Sequence, residues 1–97
     1  WQTAITDDGL RNLSRLQELR HLDLKNTSTS DAGLEHICDL QNLEHLDLQQ
    51  TFVSDKGLTH LVKLRNLKNL DLTVTVVTSE GVEQLQSALP DCKIVWQ

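Results

Sequence analysis

Leucine dominates the apolar positions of this chain, and the leucines fall in two rhythms. Leu43-x-x-Leu46-x-Leu48 closes on the every-second-residue alternation of a short strand. Leu58-x-x-Leu61-x-x-Leu64 instead has the spacing of one face of a helix. Both rhythms return at a fixed interval: "HLDL" stands at 21–24 and 45–48, and "NLDL" at 69–72. Cut at 1, 25, 49 and 73, the chain gives four words of 24 residues with one left over. The second and third words share 12 of their 24 residues without a gap. The pattern predicts a single α/β domain of four repeats (1–24, 25–48, 49–72 and 73–97), each with one strand and one short helix.

Such a unit cannot bury its apolar side alone. Stacked units can, with parallel strands laddered on a concave face, helices on the convex face and aliphatic rungs between. The helical segments open on Thr6–Asp7, Ser30–Asp31, Ser54–Asp55 and Thr78–Ser79. A hydroxyl N-cap followed by an acid suits the positive end of a helix. Asn42 and Asn66 stand just past the helices, where a left-handed residue would end them, and Pro90 holds that place in the last copy.

Residues 24 apart then lie on neighbouring turns, about 4.8 Å apart at the strands. The columns Leu22/Leu46/Leu70 and Leu24/Leu48/Leu72, closed by Ile94 and Trp96, are the expected core. Thr3, Thr27, Thr51 and Thr75 should point inward, their hydroxyls satisfying backbone groups of adjacent turns, because a buried hydroxyl without a partner costs several kcal/mol. Gly9, Gly33, Gly57 and Gly81 recur in the first helical turn, where glycine costs about 1 kcal/mol against alanine. Close backbone approach between successive turns is the expected reason. Outside, the columns Arg15/Asp39/Lys63 and Arg20/Glu44/Lys68 alternate in charge, which favours one order of turns.

The wording L-x-x-L-x-x-L-x-L-x-x-T resembles a leucine-rich repeat, with Thr3, Thr27, Thr51 and Thr75 at that family's Asn/Cys position. The block T-x-[VI]-[ST]-D-x-G-L is similar to the ribonuclease-inhibitor-like and bacterial subclasses, planctomycete-type arrays most of all, and "LPDCKIVW" looks like the end of such an array. The resemblance implies a right-handed βα solenoid. It also implies a protein recognition surface on the concave face, and no reaction.

The outward strand positions on that face are His21, Asp23 and Lys25; His45, Asp47 and Gln49; and Asn69, Asp71 and Thr73. Phe52, Val74 and Val76 lie just after the strands, where an exposed aromatic with two valines would make a contact anchor at the rim. These twelve residues are the candidate partner-binding set. His21, Asp23, His45 and Asp47 form a square of zinc-compatible donors, but a flat strand face does not converge them on one tetrahedral ion, so an exposed ladder is the stronger reading. His36 and His60 are expected on the solvent side of the helices. Cys38 and Cys92 lie more than two turns apart, beyond the ~7 Å limit of a disulfide, and are expected free.

Charge narrows the partner class. The net charge is −5 and the cations are scattered among acids, which argues against nucleic acid. No apolar run reaches the ~18 residues of a membrane span. No catalytic arrangement, cofactor or metal is expected. The first turn's aliphatic interior has no polar cap in the sequence, so further residues before Trp1, or end-to-end pairing with another copy, are expected. The reading is an interaction module, part of a longer array, with a protein partner. Its rivals are a structural spacer and a substrate-recognition subunit of an enzyme complex, although no F-box-like helices accompany it.

Overall fold

The computed structural model describes residues 16–96. Four three-residue strands, β1 (His21–Asp23), β2 (His45–Asp47), β3 (Asn69–Asp71) and β4 (Lys93–Val95), form one parallel sheet in sequential order. Between them run the helices α1 (Asp31–Ile37), α2 (Asp55–Leu61) and α3 (Ser79–Ala88). The register pairs His21 with His45, His45 with Asn69, and Asn69 with Lys93, so each turn advances the chain by 24 residues. Backbone bonds continue the ladder past the strands, with Asn26 N–H donating to the Gln49 carbonyl and Gln50 N–H to that of Thr73.

The core lies between sheet and helices. From the strands come Leu22, Leu24, Leu46, Leu48, Leu70 and Leu72, and from the helices Leu34, Ile37, Leu58, Leu61, Val82 and Leu85, all buried. Ile94 and Trp96 close the columns only partly buried. Thr27, Thr51 and Thr75 do point inward, but their hydroxyls donate to Leu24, Leu48 and Leu72 carbonyls of their own turn, not to an adjacent one. The spacing of three residues explains this, since it brings each hydroxyl back over the carbonyl just past its strand. Cys38 and Cys92 are free and buried. Burial pushes both thiols up, with the Asp39 charge adding to the effect at Cys38.

The helix ends differ from the sequence expectation. Asn42 and Asn66 are not left-handed; among the described residues those with positive φ are Asn26, Gln50 and Val74, just after the strands. Asn42 and Asn66 instead send their side-chain amides to the Gln17 and Gln41 carbonyls of the preceding turn, each at 2.8 Å. Pro90 has no side-chain amide to continue that ladder. Asn66→Ala is expected to cost about 0.5–1 kcal/mol, the worth of one exposed hydrogen bond, measured by urea denaturation.

At the helix starts, Ser30 and Ser54 make no side-chain cap on their own helices. Among the described residues only Thr78 does so, accepting from Gly81 N–H. The acids at the starts of α1 and α2 bond forward along the stack. Asp31 accepts the Ser54 N–H at 2.7 Å and the Ser54 hydroxyl, and Asp55 accepts the Thr78 N–H at 2.8 Å and hydroxyl. Each carboxylate therefore clamps the following turn. It also explains the glycine column. A Cβ on Gly81 would collide with the Asp55 carboxylate, and one on Gly57 with Asp31 and with Leu34 Cδ1. The close neighbour is a side chain of the preceding turn, not backbone as expected.

Of the charged columns, Lys68 and Glu44 approach to 3.8 Å. Lys68 is two-thirds exposed, and such pairs contribute about 0–1 kcal/mol. His36 and His60 are partly buried on the helix side, not freely exposed. Thr3, Thr6–Asp7, Gly9, Arg15 and the uncapped first turn lie outside the described residues.

Candidate interaction face

The strand alternation turns Leu22, Leu46 and Leu70 into the core and their neighbours outward. The outward side chains make three rows across the turns. The first runs His21, His45, Asn69, Lys93; the second Asp23, Asp47, Asp71, Val95; the third Lys25, Gln49, Thr73. A shallow groove of about 290 Å³ lies along the first two rows, lined by His21, His45, Leu46, Asp47, Asn69, Leu70, Asp71, Lys93 and Val95.

The rows are ordered by local bonds. The rings of His21 and His45 lie 5.5 Å apart at a tilt of 36°. Asn69 Nδ2 and His45 Nδ1 are hydrogen-bonded at 2.8 Å, which joins the first-row side chains of β2 and β3. Asp23, Asp47 and Asp71 each use Oδ1 to accept the backbone N–H two residues on, from Lys25, Gln49 and Thr73. These aspartates therefore hold the strand-to-loop turn as well as presenting charge. Asp71 is the most engaged, receiving in addition the Thr73 hydroxyl at 2.6 Å and the Gln49 amide at 2.5 Å.

Burial alone would push the Asp71 carboxyl up, but the Thr73 and Gln49 hydrogen bonds and the Lys25 charge together hold it below the usual carboxylate range. A carboxyl depressed on folding adds stability above its unfolded value and loses it as pH falls through the folded one. Asp71→Asn should therefore flatten the acid side of the stability profile below about pH 4. Urea midpoints at pH 7 and pH 3 check this: the wild type should lose more than the variant between them.

The structure brings together His21, His45, Asp47, Asn69 and Asp71 in the groove, with Asp23, Lys25, Gln49 and Thr73 in the same rows beside it. Phe52, Val74 and Val76 are exposed as expected, at 66%, 63% and 64%, but none of them lines the groove. They form a separate strip along the loops, tied by the backbone bonds Phe52 N–H to Thr29 O and Val76 N–H to Val53 O. Lys93 and Val95 do line it, although the candidate set omits them; standing 24 residues after Asn69 and Asp71 they fall in the same outward rows, and their departure from His/Asn and Asp was the missed signal. No group of three or more His, Cys, Asp or Glu among the described residues is arranged to hold a metal. The Asp carboxylates beside His21 and His45 are turned toward backbone amides. No helix among the described residues is long and apolar enough to cross a membrane.

Sequential parallel strands, outer helices and an aliphatic ladder repeated every turn define a leucine-rich-repeat solenoid. A leucine-rich-repeat family model matches residues 39–62. The Mex67:Mtr2 subunits of Chaetomium superpose with a TM-score of 0.73 at 15% identity, covering 93% of this chain and 69% of that one. A leucine-rich-repeat protein of Leptospira interrogans superposes with a TM-score of 0.61 at 18% identity. That match covers 96% of this chain but 28% of the Leptospira protein. No curated protein matches the chain in sequence.

Proposed function

We propose that the chain is a protein-interaction module whose strand face receives the partner. The observation that carries this is the groove on that face, where ordered polar side chains stand over a leucine floor. Helices cover the other side of the sheet and leave this side free among the described residues. The rows change in polarity and charge along the sheet while the core columns stay apolar throughout, so the face differs along its length and can discriminate between partners. The motif block and the 24-residue register support a ribonuclease-inhibitor-like, bacterial-type repeat, with the whole chain as one stretch of four such repeats. Phe52, Val74 and Val76 are a second contact strip beside the groove. No catalytic role is proposed.

The turn-holding role of Asp23 and Asp47 shapes the experiment. Substituting lysine would remove the Oδ1 acceptor and disturb the loop, whereas asparagine keeps the acceptor and removes the charge. A partner recovered with the wild-type chain should bind the Asp23→Asn, Asp47→Asn double variant roughly three- to tenfold more weakly by titration, the loss of about 1 kcal/mol. Lys56→Ala and Glu83→Ala, on the helices, should leave binding unchanged. The opposite pattern, loss at the helices and no change at the strands, overturns the reading.

A further inference from the structure

The groove has two poles. Asp47 stands at one, on β2, with Asp71 next to it on β3, and at the other, on β4, the second row gives up its acid for Val95, 46% exposed, beside Lys93. The Lys93 ammonium lies in no ion pair among the described residues. His45 and Asn69, bonded to each other, stand on the same two strands as Asp47 and Asp71 and form the groove's polar wall along the first row. An anionic pole and a cationic, apolar pole in one groove select a partner by the order of its charges, not by net charge.

We propose that the groove takes one α-helical segment of a partner protein laid across the strands, with a Lys or Arg over Asp47 and, about two helical turns away, an Asp or Glu beside an apolar residue over Lys93 and Val95. This rests on the strand face being the binding face. The choice of a helix comes from pitch. Successive strands are about 4.8 Å apart, and one helix face repeats about every 5.4 Å. From β2 to β4 the separation is about 9.6 Å, close to the ~10.5 Å between residues i and i+7 of a helix. An extended segment repeats each face about every 6.7 Å and drifts out of step within two strands. The opposite charges set orientation, and the apolar contact at Val95 adds burial at one end.

The test uses three display libraries of a 16-residue helical scaffold, panned on the immobilised full chain at physiological salt. Each fixes one pair at positions i and i+7, Lys/Glu, Lys/Lys or Glu/Glu, and randomises the remaining residues of that face. Because the chain carries −5 overall, unselective attraction would favour Lys/Lys. The proposal expects Lys/Glu clones to be enriched at least tenfold over both others, with the preference passing to Lys/Lys on the Lys93→Glu variant. Enrichment of Lys/Lys clones on the wild type, displaced by Asp47→Asn, overturns the two-pole groove while leaving the strand face as the binding face. Clones from all three libraries that are indifferent to Asp47→Asn, Lys93→Glu and Asn69→Ala overturn both, and enrichment from none of the three overturns the helical occupant while the partner titration with Asp23→Asn, Asp47→Asn still judges the strand face.

Discussion

Gly81→Ala is expected to destabilise the fold by about 2 kcal/mol, and to become neutral or stabilising when Asp55 is also changed to alanine. An alanine in a helix interior is ordinarily worth about 1 kcal/mol over glycine, so the variant should gain stability if propensity governed. It does not, because the new Cβ falls on the Asp55 carboxylate. Displacing that group loosens the bonds from the Thr78 N–H and hydroxyl. Overpacking costs about 1–3 kcal/mol, and hydrogen bonds to a charged group contribute about 1.5–3 kcal/mol. Together they outweigh the propensity gain. At about 4–8 °C per kcal/mol for a domain of this size, Tm should fall by roughly 10 °C.

Removing Asp55 first deletes both the obstacle and the clamp. The second substitution then has only its helix gain, and the cycle changes sign. The matching pair Asp31 and Gly57 serves as an internal comparison, because Leu34 Cδ1 also crowds Gly57 and part of the cost should persist there. Equal costs for Gly81→Ala with and without Asp55 would show that the carboxylate is not what the glycine accommodates.

Val74→Asn should raise stability by about 1 kcal/mol, or 4–8 °C in Tm. Val74 sits at φ 58°, in the left-handed region that Asn26 and Gln50 occupy on the other turns. That region costs an L-residue about 1–2 kcal/mol, and a β-branched side chain is least suited to it. Asparagine tolerates it, and valine's side chain, 63% exposed, has little burial to lose. A calorimetric scan decides; a lower Tm would mean that the valine packs more than its exposure indicates. Strain at an exposed apolar residue suits a contact side chain. If the strip of Phe52, Val74 and Val76 contacts a partner, the more stable variant should bind it less tightly.

These two positions show where the sequence was legible and where it stopped. The 24-residue period, the strand and helix rhythms and the inward leucine columns were all readable, because stacking demands the same side-chain shape at the same phase on every turn. The aspartate of each helix start was readable as a motif but not in its role. Local rules put it on its own helix dipole, whereas the turn spacing brings the next turn's hydroxyl within its reach. The left-handed residues were misplaced for a related reason. Asn42 and Asn66 have the residue type, yet the chain reverses after the strand, where Asn26, Gln50 and Val74 stand, and a valine gives no sign of it. The groove was half visible: its rows followed from the columns, but which row positions border a hollow depends on side-chain bonds, such as that from Asn69 to His45, that no periodicity reveals.

The carboxylate clamp joins residues of two different turns, and it runs in one direction only. Asp31 serves Ser54 and Gly57, and Asp55 serves Thr78 and Gly81, while the fourth turn carries Ser79 in the corresponding place. Turns are therefore not freely interchangeable words. As far as the clamp goes, the second and third are equivalent, since each has both the carboxylate that reaches forward and the hydroxyl that meets one from behind, and only the charged columns set their order. A copy of the fourth inserted among them would accept the clamp and pass nothing on, leaving its successor held by backbone and leucines alone. Any rearranged or lengthened version of this array must keep that order of giving and receiving.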